Sequence, residues 1–389
     1  MEFNQTQPTK SFEPLRLAAE RILSAYYSDR INIKSIERFT EPGRRNMLLR
    51  CWIDPVENLP SSFILKKVEG EYNPDDANSK DTRRLFDDWI GSKFLNQIST
   101  QAKHSPCFYG GDRDLGFILI EDVQHHNTLA EILLGNDSDK AEWALLQYAT
   151  CLGQLHRDTL GKADDFYQLY KTVSKNMKPY KARVDIDRFG LILESIGINP
   201  HNNCLSDLEA IHQTVNNPGE LMAYIHFDAC PDNVLNTGSE LRLIDFETGF
   251  FSHALLDAVF GRMMFPSCWC SKRLPENIVL KMENVYREIL IQKCPAAADD
   301  KTFNRALVYA CGWWLIDTLL DLKQVWQKDE DFGVSTIRQR ILARSKTFIA
   351  VSQEFNLLPG LRGTSSQLLD LLNQVWSDVP DLPLYPAFE

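Results

Sequence analysis

Apolar residues recur at helical spacing through Leu15, Leu17, Ala18, Ile22, Leu23 and Tyr26, which predicts a helix over 14–28. Three runs of strand character follow: INIKSIERF from Ile31, NMLLRCWI from Asn46 and SSFILKK from Ser61. The polar stretch EGEYNPDDANSKD then leads into a helix predicted over 82–98, and short strands are expected at 107–109 and 116–121. The order β-β-β-α-β-β is that of a small α+β unit. After about Val123 the period changes. Helices are predicted over 139–159, 166–177, 187–196, 205–215, 252–264, 275–290, 302–326, 332–356 and 365–376. One short β segment interrupts them, with Val234 and Leu235 as one arm, Thr237, Gly238 and Ser239 as the turn, and Leu241 to Ile244 as the other. The chain is therefore expected to be an α+β protein of two units, a β-sheet unit at 1–122 and a larger helical unit at 123–389.

Composition narrows the class. The chain has 389 residues, 44% of them hydrophobic and 24% charged, which is ordinary for a globular protein with a large core. No apolar run approaches the ~20 residues of a transmembrane helix. The start, MEFNQTQPTKSFEPL, lacks a basic n-region and an apolar h-region, so no secretory signal is expected there. A formal net charge of −11 argues against nucleic acid or an anionic membrane as main partner. The nine cysteines, an odd number spread from Cys51 to Cys311, are read as buried free thiols in a reducing cytoplasm. Cys268 and Cys270 form the one tight pair, but a zinc site would need two further ligands.

The β segment carries the chemistry. Residues 226–247 read HFDACPDNVLNTGSELRLIDFE, an H-x-D-x-x-x-x-N element, a hairpin, then Asp-Phe-Glu. Phosphoryl transfer needs a carboxylate beside an attacking hydroxyl and oxygen ligands for Mg²⁺ close by. Asp228 opens a loop stiffened by Pro231, between a strand at Ala223, Tyr224 and Ile225 and the arm at Val234. A carboxylate held there can orient or accept a hydroxyl proton. Asn233 and Asp245 offer hard oxygen ligands of the kind Mg²⁺ takes when it is bound mainly through ATP phosphates. His226 is expected to pack under the loop and to hold Asp245 or a backbone carbonyl.

These segments resemble the aminoglycoside phosphotransferase and choline kinase-like family, relatives of protein kinases that phosphorylate small-molecule hydroxyls. HFDACPDNVL and LIDFE match its catalytic and metal-binding segments. The resemblance implies a bilobal protein-kinase-like fold, with Asp228 as catalytic base and Asn233 and Asp245 as Mg²⁺ ligands. It further implies Lys66, in FILKK, as the lysine on the ATP phosphates, with Asp88 as its partner where the family usually carries a glutamate. Alternation along the strand puts Lys67 on the other face. ILIEDV, 118–123, looks like the linker whose backbone holds adenine, which brings in Glu121 and Val123. LGQLH, ending at His156, resembles the family's long helix, and Asp257 its buried carboxylate under the catalytic loop. The phosphate-covering turn would be EPGRRN, 41–46, with the single glycine Gly43. Arg44 or Arg45 is either a phosphate contact or part of a solvated turn. Glu247 stands where protein kinases carry the glycine of Asp-Phe-Gly.

Asp245 and Asp257 are 12 residues apart, which leaves no room for an activation segment and an A-P-E element. A peptide acceptor is therefore not expected. The expected activity is ATP- and Mg²⁺-dependent transfer to a hydroxyl of a small molecule. The alternative is a nucleotide-binding regulatory module with weak or no catalysis. Phe265 and Trp269, with Cys268 and Cys270, and the pair Trp313 and Trp314, are read either as pocket walls able to hold a cation or as packing of the helical unit.

Overall fold

The computed structural model describes residues 12–41, 43–76, 79–98, 104–173 and 177–389. Most of the N-terminal MEFNQTQPTKSFEPL, position 42 of the covering turn, positions 77–78 of the polar stretch and the end of the 166–177 helix lie outside them. The chain forms two compact units. One comprises Met1–Gln124, Asp164–Pro179 and Ile244–Gly249; the other comprises His125–Ala163, Tyr180–Leu243 and Phe250–Glu389. The sequence suggested a single division at 122/123. Two later stretches return to the first unit, and no local pattern signals them.

In chain order the first unit supplies α1 (Glu13–Tyr27), β1 (Ile33–Arg38), β2 (Asn46–Ile53), β3 (Ser62–Val68), α2 (Lys80–Gln97), β4 (Phe108–Asp112) and β5 (Phe117–Glu121). The second opens with β6 (Asn127–Thr128), α3 (Leu129–Leu133) and α4 (Ser138–Thr159). Helix α5 (Ala163–Val173) returns to the first. The second resumes with α6 (Ile186–Ser195), α7 (Cys204–Asn216), β7 (Met222–Ile225), β8 (Val234–Asn236) and β9 (Leu241–Leu243). After the 244–249 stretch it continues with β10 (Phe250–His253), α8 (Leu255–Ala258), α9 (Glu276–Leu290), α10 (Asp300–Leu319), α11 (Leu322–Val325), α12 (Ile337–Glu354) and α13 (Pro359–Val375).

The first unit is an antiparallel five-stranded sheet in the order β1-β2-β3-β5-β4. Period-2 alternation in β2 sends Met47, Leu49, Cys51 and Ile53 inward. They pack with Phe63, Leu65, Phe117 and Leu119 against Leu15, Ala18, Ala19 and Leu23 of α1. Phe63 and Leu65 face that cluster, so the strand's pleat turns Ile64 and Lys66 to the other face. Helix α2 starts at a Ser79 cap whose side chain accepts the Thr82 N–H. It packs against β3, β4 and β5 and buries Phe86, Asp87 and Asp88 in consecutive positions. Tyr170 of α5 donates to Asp87 at 2.8 Å. Burial, opposed by Arg83, pushes the Asp87 carboxyl up to about 7.

The second unit is mainly helical, with α4 against α9 and with α7, α10, α12 and α13 packed together. Gly153 lets α4 and α9 approach closely, because a side-chain carbon there would stand 3.2 Å from the Tyr286 carbonyl oxygen. Three features differ from the sequence reading. The β content is larger, since β7 pairs with β10 and β6 joins β8 and β9. The helix expected over 252–264 shrinks to the single turn α8. Its first residues join β10, and the stretch ends in left-handed backbone at Met264 (φ 56°) and Phe265 (φ 47°). The pattern expected over 332–356 begins as a small hairpin at Asp331–Phe332 and Ser335–Thr336 before α12 starts. Short apolar runs carry no periodicity that separates strand from helix, so these boundaries are set by tertiary pairing.

His253 ends β10 and is buried, with its Nδ1 accepting the Leu255 N–H at 3.2 Å. Burial first, then His156 and Arg305, hold its pKa down to about 4. An unfolded histidine titrates near ~6.5. The unfolded chain therefore takes up the proton first, and the contribution to stability, complete above that value, is lost as pH falls toward 4. Urea unfolding is expected to find wild type losing about 2 kcal/mol more than His253→Gln between pH 8 and pH 5. Parallel pH profiles would contradict a neutral buried His253.

Candidate active site

Within the first unit, Lys66, Asp88 and Asp245 meet. Lys66, 8% exposed, sits on the central strand β3 opposite Leu48 and Ile118. Its ammonium donates to Asp88 Oδ2 at 2.7 Å and to Asp245 Oδ1 at 2.5 Å. Asp88 is fixed by further donors, the Phe246 N–H at 3.1 Å and Ser92 Oγ at 3.3 Å, both on Oδ1. Burial alone would pull the lysine pKa down, but Asp245, Asp88 and Glu247 together outweigh it and raise it. Asp245 holds left-handed backbone (φ 68°), a region aspartate tolerates better than most residues. Lys67 differs, as alternation requires: its amine donates to the carbonyls of Val68 and Leu115.

The third residue of Asp-Phe-Glu also has a defined partner. Both Glu247 carboxylate oxygens lie 2.5 Å from Arg45 Nη2, and Arg84 stands 3.8 Å away. Burial, then Asp245, push the Glu247 carboxyl up to about 7 against the pull of Lys66 and Arg45. Arg45 is thus engaged by a carboxylate, while Arg44 is exposed beside Glu41 at 3.9 Å. The sequence offered no signal for Arg45 with Glu247. At the end of β5, the Glu121 N–H donates to the Cys107 carbonyl at 2.8 Å, and its carboxylate accepts the Cys107 N–H at 3.0 Å. Val123 is buried.

Within the second unit, the loop 226–233 is held from several sides. Asp257, fully buried, accepts the His226 N–H at 2.6 Å and the Phe227 N–H at 2.9 Å. His156 of the LGQLH segment stands between Asp257 (3.4 Å) and the Tyr286 hydroxyl (2.8 Å). Phe227 takes positive φ (63°) and packs edge-on against Phe250 and Trp313, so the next residue, Asp228, follows a fixed turn. Tyr148 donates to the Ala229 carbonyl at 2.8 Å. The Asn233 amide nitrogen donates to the Asp228 carbonyl at 3.0 Å and lies 3.4 Å from Asp228 Oδ2. Its amide oxygen therefore points away from Asp228. His226 is fully buried. Trp313 and Trp314 are core residues, 5% and 3% exposed.

Cysteine usage departs from the sequence reading. Cys230, two residues beyond Asp228, is disulfide-bonded to Cys268, across 38 residues of chain. The other seven are free and six of them are buried. Spacing could not pair them, because the turn after α8 is what brings Cys268 to the loop. A groove of about 510 Å³ on α6 and α7, lined by Phe189, Leu193, Leu205 and Leu208 among others, includes none of the candidate residues. Among the described residues, no group of three or more His, Cys, Asp or Glu side chains is placed to hold a metal, and no helix is long and apolar enough to cross a membrane.

No family model and no curated protein matches the chain. Among solved structures it is similar to a choline kinase from Cryptosporidium parvum, at 11% identity over 94% of this chain and 97% of that one, with a TM-score of 0.48. It is also similar to a choline/ethanolamine kinase family protein from Mesorhizobium loti, at 14% identity, 92% and 99% coverage and a TM-score of 0.46. An ADP-bound aminoglycoside phosphotransferase gives 14% identity, 90% and 100% coverage and a TM-score of 0.44.

Proposed function

We propose that this chain is a kinase-like phosphotransferase that moves the γ-phosphoryl group of ATP to a hydroxyl of a small molecule. The observation that carries the reading is the clasp of Lys66 between Asp88 and Asp245. Lys66 and Asp88, which the resemblance implies, and Asp245, as far apart in sequence as 66 and 245, meet in direct ion pairs. In this reading Asp88 steadies Lys66, Lys66 steadies the ATP phosphates, and the Glu121–Val123 backbone receives adenine. Asp228 orients or deprotonates the acceptor hydroxyl, from a loop whose backbone is pinned by Asp257 and Tyr148.

Asn233 and Asp245 would hold Mg²⁺. The donor types fit: an amide oxygen from Asn233 and a carboxylate from Asp245 are the hard oxygen ligands this ion takes. Two side chains suffice when phosphate oxygens and water complete the coordination, the usual mode for this ion. The metal would neutralise charge on the β- and γ-phosphates. The 12-residue path from Asp245 to Asp257 supports a small acceptor, and ATP use suits a cytoplasmic setting.

The test is a Mg·ATP screen of hydroxyl compounds, with cationic and neutral sets, read by ADP release. Acceptor-dependent ADP release is expected from one set. ADP release that no hydroxyl compound stimulates would support the other reading, a nucleotide-binding module.

A further inference from the structure

The segment Met263–Ser271 serves no role in the reading above, yet it is built with unusual care. Two buried arginines of α12 hold its backbone. Arg344 donates to the Met263 carbonyl at 3.0 Å and to Ser271 Oγ at 3.3 Å. Arg340 donates to the carbonyls of Cys268 at 2.7 Å and Trp269 at 3.1 Å. Burying two guanidinium groups is costly unless their donors are used; here four of their bonds go to this one short stretch and the others to Thr318, Phe332 and Ser335. That stretch reaches the Asp228 loop at three points. Cys268 is bonded to Cys230, Ser267 Oγ lies 3.3 Å from Cys230 Sγ, and the Trp269 indole N–H donates to Asp232 Oδ2 at 2.7 Å.

We propose that Ser267, Cys268 and Trp269 are positioning residues for the Asp228 loop, and that turnover depends on the thiol state of Cys230 and Cys268. The inference rests on the reading of Asp228 as the base. Two effects act in the same direction. The covalent tie fixes the loop between Asp228 and Asn233, and misplacing a reacting group by about 1 Å can cost on the order of 10²-fold. Cys230 Sγ also lies 3.1 Å from Asp228 Oδ1. In the disulfide this sulfur has no proton to give. As a thiol it donates to the carboxylate and competes with the acceptor hydroxyl.

The redox step is thiol–disulfide exchange. Two thiols become one disulfide, and their two electrons and two protons pass to a low-molecular-weight disulfide such as oxidised glutathione, which leaves as two thiols. A dithiol such as dithiothreitol reverses it. Cys230 and Cys268 are 4% and 1% exposed, so exchange requires local opening and is slow.

The test uses the full chain with Mg·ATP turnover as probe, after peptide mapping has established the thiol state. The oxidised protein is expected to have a kcat about tenfold or more above the reduced protein, with KM for ATP changed less than twofold. Cys268→Ser, which leaves the Cys230 thiol, should match the reduced form in any redox buffer. Cys230→Ala with Cys268→Ala lacks both tie and thiol donor and should fall between them. Trp269→Phe should lower kcat in the oxidised form without loss of folded protein, and amide hydrogen exchange at 226–233 should rise on reduction. Equal kcat in the mapped oxidised and reduced forms, or no Cys230–Cys268 link after oxidation, overturns the proposal while an Asp228-dependent turnover still stands. Absence of Mg·ATP turnover in every form overturns the base reading, and this inference with it.

Discussion

Asp228→Asn is expected to lower kcat by about 10²- to 10⁴-fold, the usual worth of a positioned general base, with ATP affinity changed little. The substitution is close to isosteric. The backbone around it is held by groups it does not touch: Asp257 on the His226 and Phe227 N–H groups, and Tyr148 on the Ala229 carbonyl. Asn233 keeps its 3.0 Å bond to the residue 228 carbonyl. The loop should therefore keep its shape while losing the proton acceptor. The measurement is steady-state kinetics beside nucleotide binding by calorimetry. Loss of both turnover and ATP binding would mean that Asp228 is structural, and retained turnover would remove it from the chemistry.

The second large effect is expected at Lys66. Lys66→Met takes the cation away from buried Asp88 and from Asp245, and breaking such a pair costs about 3 kcal/mol, the lower end of the usual range because Asp245 is 30% exposed. It also removes the proposed phosphate donor, and a preorganised donor is worth about 10²- to 10³-fold in rate. Lys66→Met combined with Asp88→Asn separates the two. The carboxamide oxygen can still accept the Phe246 N–H, so the double variant should recover stability to within about 1 kcal/mol of wild type. It should recover none of the activity. Recovery of both would make the lysine a structural counter-ion; recovery of neither would point to damage elsewhere in the sheet.

What the sequence made legible follows from physical range. Alternation along SSFILKK separated Lys66 from Lys67, and the pleat of β3 places them as that argument requires. The hairpin at 234–244 was readable because its turn residues sit between short apolar arms, and β8 pairs with β9 there, Val234 opposite Leu243. The aspartate at 88, one methylene shorter than the glutamate of the family it resembles, still reaches the lysine at 2.7 Å. The features that escaped all depend on contacts remote in sequence. Arg45 and Glu247 are 202 residues apart, and Cys230 and Cys268 are 38 apart. The apolar stretch at 252–264 read as helix because nothing local reveals that Phe250–His253 finds β7 as a partner. The odd count of nine cysteines also misled, since it says nothing about whether two of them pair.

The central claim is transfer of phosphate from ATP to a hydroxyl through Asp228. The direct measurement is ³¹P spectroscopy of the products formed from Mg·ATP and an acceptor taken from the hydroxyl screen, by wild type and Asp228→Asn side by side. The account predicts ADP and a phosphate monoester of the acceptor in equal amounts from wild type, and neither from the variant on the same timescale. Inorganic phosphate without ester, or the same ester yield from the variant, would contradict it.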